Sequence, residues 1–127
     1  MSAVPDHLFG KREADGLLPR LRELIGALQT AATSDAAQAA REHLASAGRS
    51  NGSAGAAAAA SRAAAEIDTA LDEIDRLGVI LRDAATGLCD FPSTRDGREV
   101  YLCWKLDEDE VAWWHPRDVG IAGRRKL

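Results

Sequence analysis

Asp90, Cys103, Glu110 and His115 bring two carboxylates, a thiol and an imidazole into one stretch of a 127-residue chain. Such groups are competent ligands for zinc or iron, and a thiol near an imidazole is equally the start of a nucleophilic site. The same stretch, Gly87 to Gly123, holds all three tryptophans (Trp104, Trp113, Trp114), the single tyrosine Tyr101 and both cysteines, Cys89 and Cys103. Spacing does not choose among these chemistries. Neither cysteine belongs to a Cys-x-x-Cys pair, and there is no zinc-finger spacing, GxSxG, P-loop or dinucleotide fingerprint. Cysteine often serves as a small buried hydrophobe, and a histidine at a strand end often does no more than hydrogen-bond its surroundings. The reading therefore leans away from an enzyme, with zinc or iron as the cofactors the donor set would accept.

What must position these residues is a sheet. Arg98 to Leu106 alternates, with Val100, Leu102, Trp104 and Leu106 on one face and Glu99, Tyr101, Cys103 and Lys105 on the other. Asp96-Gly97 is a strong hairpin signal that folds Leu88 to Phe91 back on Val100 to Cys103. A two-residue turn there sets Asp90 opposite Cys103, whereas a slip of one residue sets Cys89 there. The acidic run Asp107 to Glu110 supplies a second turn, and Val111 to His115 a third strand that Pro116 ends. Cross-strand neighbours then bring Asp90, Cys103 and His115 into one small region.

The sheet needs a partner. Leu17, Leu21, Leu24, Ile25 and Leu28 recur at helical spacing, with Gly10 as N-cap, Glu13 where a capping-box carboxylate reaches back, and Pro19 predicting a kink or a late start. A first helix is expected over 11–46, a flexible Gly/Ser turn over 48–55, and a second helix over 56–83. The seam of that second helix is Ile67, Leu71, Ile74, Leu77 and Leu81. The expected fold is a single α+β domain, an antiparallel two-helix hairpin packed on a small three-stranded antiparallel β-meander over 87–115, with a frayed tail over 116–127.

The Trp113-Trp114 pair must send one indole to each face of its strand. Together with Tyr101, that makes an aromatic patch of interface composition, and a self-associating module, a homodimer, is the leading expectation. The acidic run lacks the spacing of a calcium loop and reads as a solvated turn. In the tail, Arg124 and Arg125 are candidates for binding an anion, and with Arg117 and Lys126 for docking on a ribosome or nucleic acid. A net charge of −4 makes nucleic acid an unlikely partner. No stretch approaches ~20 consecutive apolar residues, so no membrane span is expected. Pro5, Asp6 and His7 stand where a signal peptide would need an apolar run, so reduced thiols in a cytoplasm are expected.

The chain resembles a small uncharacterised prokaryotic family, domain of unknown function 2203. The resemblance rests on Phe9, Glu13-Ala14 and Leu17-Leu18-Pro19-Arg20-Leu21, then on Leu77-Gly78-Val79, Gly87 and Asp90-Phe91-Pro92. It continues through Asp96-Gly97-Arg98, Cys103-Trp104, Glu108 with Glu110, Trp114-His115, Gly120 and Gly123-Arg124. Gly10 departs from the family's usual threonine or serine, and the alanine-rich middle is longer. The resemblance implies a compact cytoplasmic domain and no particular activity. It draws attention to Asp90, Cys103, Glu110, His115 and Arg124, on which the matching blocks are centred.

Overall fold

A computed structural model describes residues 7–33 and 54–127. Helix α1, Lys11–Thr33, starts where Gly10 supplies the first helical acceptor, its carbonyl taking the Ala14 N–H at 3.0 Å. Glu13 does not turn back to close a capping box; it bonds His7 Nε2 at 2.7 Å. The helix runs through Pro19, which removes one donor from its interior at a cost of about 3 kcal/mol. Packing offsets that cost: Ala14, Leu18, Leu21, Leu24, Ile25, Leu28 and Ala31 are all buried along one side. Thus Leu18 joins the expected stripe, while Leu17 is only partly buried against it. The expected extension of this helix over 34–46 lies outside the described residues, as does the turn over 48–53.

Helix α2 spans Ala54–Arg76, so Ala54 and Gly55 are helical rather than part of a turn. It packs on α1 mainly through Ala63, Ala70 and Ile74, whereas Leu71 is exposed. The small alanines allow close approach, which is why a seam drawn on large side chains alone misplaces the contact. The expectation of a helix reaching residue 83 is incorrect. The Gly78 N–H bonds Asp75 O and the Val79 N–H bonds Ile74 O, the pair of bonds of a Schellman terminus, with Gly78 at φ 84°. A glycine accepts that left-handed conformation at little cost, so the chain leaves the helix there and Leu81 enters a strand.

The sheet has five strands, not three, joined in chain order and all antiparallel: β1 Ile80–Asp83, β2 Leu88–Arg95, β3 Arg98–Trp104, β4 Trp113–Pro116 and β5 Arg125–Lys126. The α+β class holds. Asp96 (φ 52°) and Gly97 (φ 77°) make the two-residue turn with both central residues left-handed, and Asp90 pairs with Cys103 as that turn requires. Pro92 is tolerated inside β2 because β1 stops pairing at Asp90. Beyond it the edge is met by Phe9, whose N–H bonds Pro92 O at 2.7 Å.

The tail is ordered, contrary to the expected fraying. A short 3₁₀ turn, Ile121–Gly123, returns the chain so that Trp113 pairs with Lys126 and Trp114 with Arg125. The helices cover one face of the sheet. Cys89, Phe91, Leu102 and Trp104 enter a core with Phe9, Leu21, Ile25, Ile74, Val79 and Val111. The other face carries Asp90, Tyr101, Cys103, Trp113 and His115. No helix among the described residues is long and apolar enough to cross a membrane.

Candidate functional site

Three neighbouring strands each contribute one donor to the face away from the helices. Asp90 (β2) pairs with Cys103 (β3), and His115 (β4) pairs with Tyr101, two residues before Cys103, so pleating puts all three side chains on one side. A carboxylate oxygen of Asp90, the Cys103 sulfur and a His115 ring nitrogen lie within 4.8 Å of one another. All three residues are buried. Glu110, the fourth residue singled out in the sequence, is not with them: it is exposed and bonds Lys11 at 3.4 Å.

The hydrogen bonds define how each donor is presented. His115 Nδ1 lies 2.9 Å from Pro116 O. A carbonyl only accepts, so this ring nitrogen carries a hydrogen, and the 3.0 Å contact of Nε2 with Asp90 Oδ1 needs a further proton between them, the place a metal ion would take. The second Asp90 oxygen accepts from Arg82 Nε at 2.9 Å. Arg82 stands at a bulge, where the register jumps from Leu81↔Cys89 to Asp83↔Leu88. The sequence conceals it, because apolar spacing extends the expected helix through residue 83; the left-handed Gly78 is the stop signal that separates Arg82 from that helix.

Burial, and after it the neighbouring Asp90 charge, pushes the Cys103 thiol up to about 11. Burial and Asp90 likewise push Cys89 up to about 12. Neither is a thiolate at neutral pH unless something displaces its proton. A Cys–His nucleophile requires an imidazole nitrogen aimed at the sulfur. Here Nδ1 is engaged by Pro116 and Nε2 by Asp90, so the nucleophilic arrangement is not formed. A metal-ligating histidine, in contrast, commonly donates its second N–H to a backbone carbonyl, which is what His115 does. Cys89 is no partner for Cys103, since the two lie on opposite faces and both are free thiols.

Beneath Cys103 lies the second built feature. Glu108 is not a solvated member of the acidic run: its Oε1 accepts from the Lys105 N–H at 2.9 Å, and both its oxygens accept from Arg124 Nη2, at 2.7 and 2.9 Å. Trp104 Nε1 and Arg22 Nη2 hold the Glu108 carbonyl at 2.8 and 3.0 Å. Arg124 also stacks on Trp113, with its guanidinium carbon 4.9 Å from the ring centroid. Burial pulls this guanidinium down, but Glu108 and the Cys103 sulfur outweigh it and hold the group above its ordinary value. Its Nε is buried without an acceptor among the described residues, an orphaned donor in the neighbourhood of Cys103.

The aromatic candidates separate as alternation demands. Trp114 packs against the helix-side core, and Trp113 faces the other way beside Cys103. Both rings are covered within the chain by arginines, Trp114 by Arg95 and Arg125 and Trp113 by Arg124. Arg82 and Arg117 lie over Tyr101. Of the tail residues proposed for anions, Arg124 is thus committed to Glu108, while Arg125 is exposed in β5.

The chain matches the family described as an uncharacterized conserved protein (DUF2203) over residues 7–127. It belongs to that family. No curated protein and no solved structure matches it. The match takes in Asp90, Cys103, His115, Glu108 and Arg124, so the whole site lies within the family domain.

Proposed function

We propose that this protein binds a single transition-metal ion, zinc being the best fit, through Asp90, Cys103 and His115. The observation that carries the reading is three buried donors of different chemistry within 4.8 Å of one another. Carboxylate, thiolate and neutral imidazole suit a borderline-soft ion, and together they carry the two negative charges that balance a divalent cation. Three protein ligands are also the count at which zinc keeps a fourth position open for water or substrate. The site borders a cavity of ≈370 Å³ lined in part by all three donors, which gives that position access.

Supporting groups stand where such a site needs them. Pro116 O fixes the His115 tautomer and Arg82 orients the Asp90 carboxylate. A bound ion would displace the thiol proton and leave Cys103 anionic, giving the orphaned Arg124 N–H a negative neighbour. The chemistry this supports is Lewis-acid activation of a ligand in the cavity.

Native mass spectrometry of untagged protein purified without chelator is expected to show one metal per chain. With Co²⁺ in its place, a thiolate-to-metal charge-transfer band should appear in the near ultraviolet and vanish in Cys103→Ser. Metal-free protein that also gives no cobalt band would overturn the reading.

A further inference from the structure

We infer that the ligand of this cavity carries a single oxyanion group, a carboxylate or a phosphate, received by Arg82 and Arg117. The inference rests on the metal reading only for what the far end of the ligand meets. Both arginines line the ≈370 Å³ cavity that holds Asp90, Cys103 and His115. Their guanidinium carbons lie 5.2 and 5.8 Å from the Tyr101 ring centroid, so one aromatic ring aligns two cations on the cavity wall.

Arg82 is the better-defined half. Its Nε is committed to Asp90, which fixes the plane of the guanidinium, while its two terminal amino groups have no partner among the described residues. A planar fork held at one corner is pre-organised for an oxyanion at the other. Arg117 is tethered by Glu99 and belongs also to a second cavity of ≈490 Å³, with which Tyr101 too is shared. Apart from Asp90, the remaining carboxylate on the first cavity is Asp118, exposed at its edge. Asp90 already pairs with Arg82 and Glu99 with Arg117, so the positive charge left for a ligand is small, which suits one anionic group and disfavours a polyanion. The volume is at the low end of small-molecule sites, which excludes a macromolecular substrate inserted whole.

The test is titration calorimetry of the full chain with acetate and, separately, with inorganic phosphate, on metal-free and on Co²⁺-treated protein. Saturable binding of at least one anion is expected, weakened roughly tenfold or more by Arg82→Lys, which keeps the charge and loses the fork. Arg117→Gln, at a half-exposed position that leaves the metal donors untouched, should weaken it as well. Which of the two probes binds identifies the oxyanion.

A cobalt band with no saturable binding of either anion would sink the anion subsite and leave the metal reading standing. Anion binding that is indifferent to both arginine variants would sink it too. Arginine-dependent anion binding without a cobalt band would support the subsite and overturn the metal reading, and loss of both signals in a folded protein would overturn both.

Discussion

Cys89 and Cys103 lie on adjacent strands, and the pleat sends them to opposite faces of the same sheet. On the helix side Cys89 sits among Phe91, Leu102 and Trp104 and meets nothing that calls for its proton. On the open side Cys103 sits beside a carboxylate, an imidazole and a guanidinium. Both are fully buried and both thiols are pushed well above the ordinary range, so burial does not distinguish them. Their neighbours do. A thiol becomes a ligand where a second and a third donor converge on it, and packing alone makes it a small apolar side chain.

That contrast can be broken first with tryptophan. Trp104 is fully buried on the helix side, and Trp104→Ala is expected to cost about 3–5 kcal/mol in denaturant melts. Trp113 is only half-buried under Arg124 and should lose clearly less on the same change. Equal losses would mean that the two faces are packed alike.

The thiols give the next largest difference. Cys89→Ser puts a hydroxyl into an apolar surround and should cost on the order of 1–3 kcal/mol. Cys103→Ser, whose hydroxyl can bond Asp90, should melt closer to the parent yet lose metal, as read by bound zinc after dialysis. A serine at 103 that keeps stoichiometric zinc would remove the sulfur from the ligand set.

The last difference is confined to alkaline pH. In metal-free protein the Cys89 thiol is raised from 9.0 to about 12 by folding. The folded state then holds a proton that the unfolded chain has already released, so stability should fall as pH climbs from about 9 towards 12. Below pH 9 this group should contribute no slope, and Cys89→Ala should flatten the alkaline limb in thermal melts.

Much of the open face was readable in the sequence because it depends on local turn chemistry. Asp96-Gly97 sets the register, and with it the pairing of Asp90 with Cys103. The alternation through Trp104 assigned both faces of β3, and His115 followed from the turn before it. Two features escaped for physical reasons. An apolar series at helical spacing ran from Ile67 through Leu81, and the single left-handed glycine at 78 overrode it, so β1 and Arg82 were hidden inside a helix. The tail reads as charged and frayed because its own residues say nothing of what holds it. The ion pair of Arg124 with Glu108 and the ladder to β4 are non-local, and no short-range pattern encodes them. Glu110 has the right chemistry for a ligand, but it sits exposed in a bend before β4, where it bonds Lys11.

The order of the strands bears on how the site comes into being. Because the sheet follows the chain from β1 to β5, every candidate ligand and both arginines of the cavity come from successive hairpins within residues 82–117. Each closes a short loop, and short loops close in microseconds or less, well before long-range docking is complete. The N-terminal segment with α1 reaches across the sequence, through bonds such as the Phe9 N–H to Pro92 O, Asp15 to the Val111 N–H and Gln29 to the Ala84 carbonyl. In refolding experiments the donor cluster should therefore gather ahead of the N-terminal helix, and an added metal ion should speed the productive phase by fastening the hairpins on which that helix later settles.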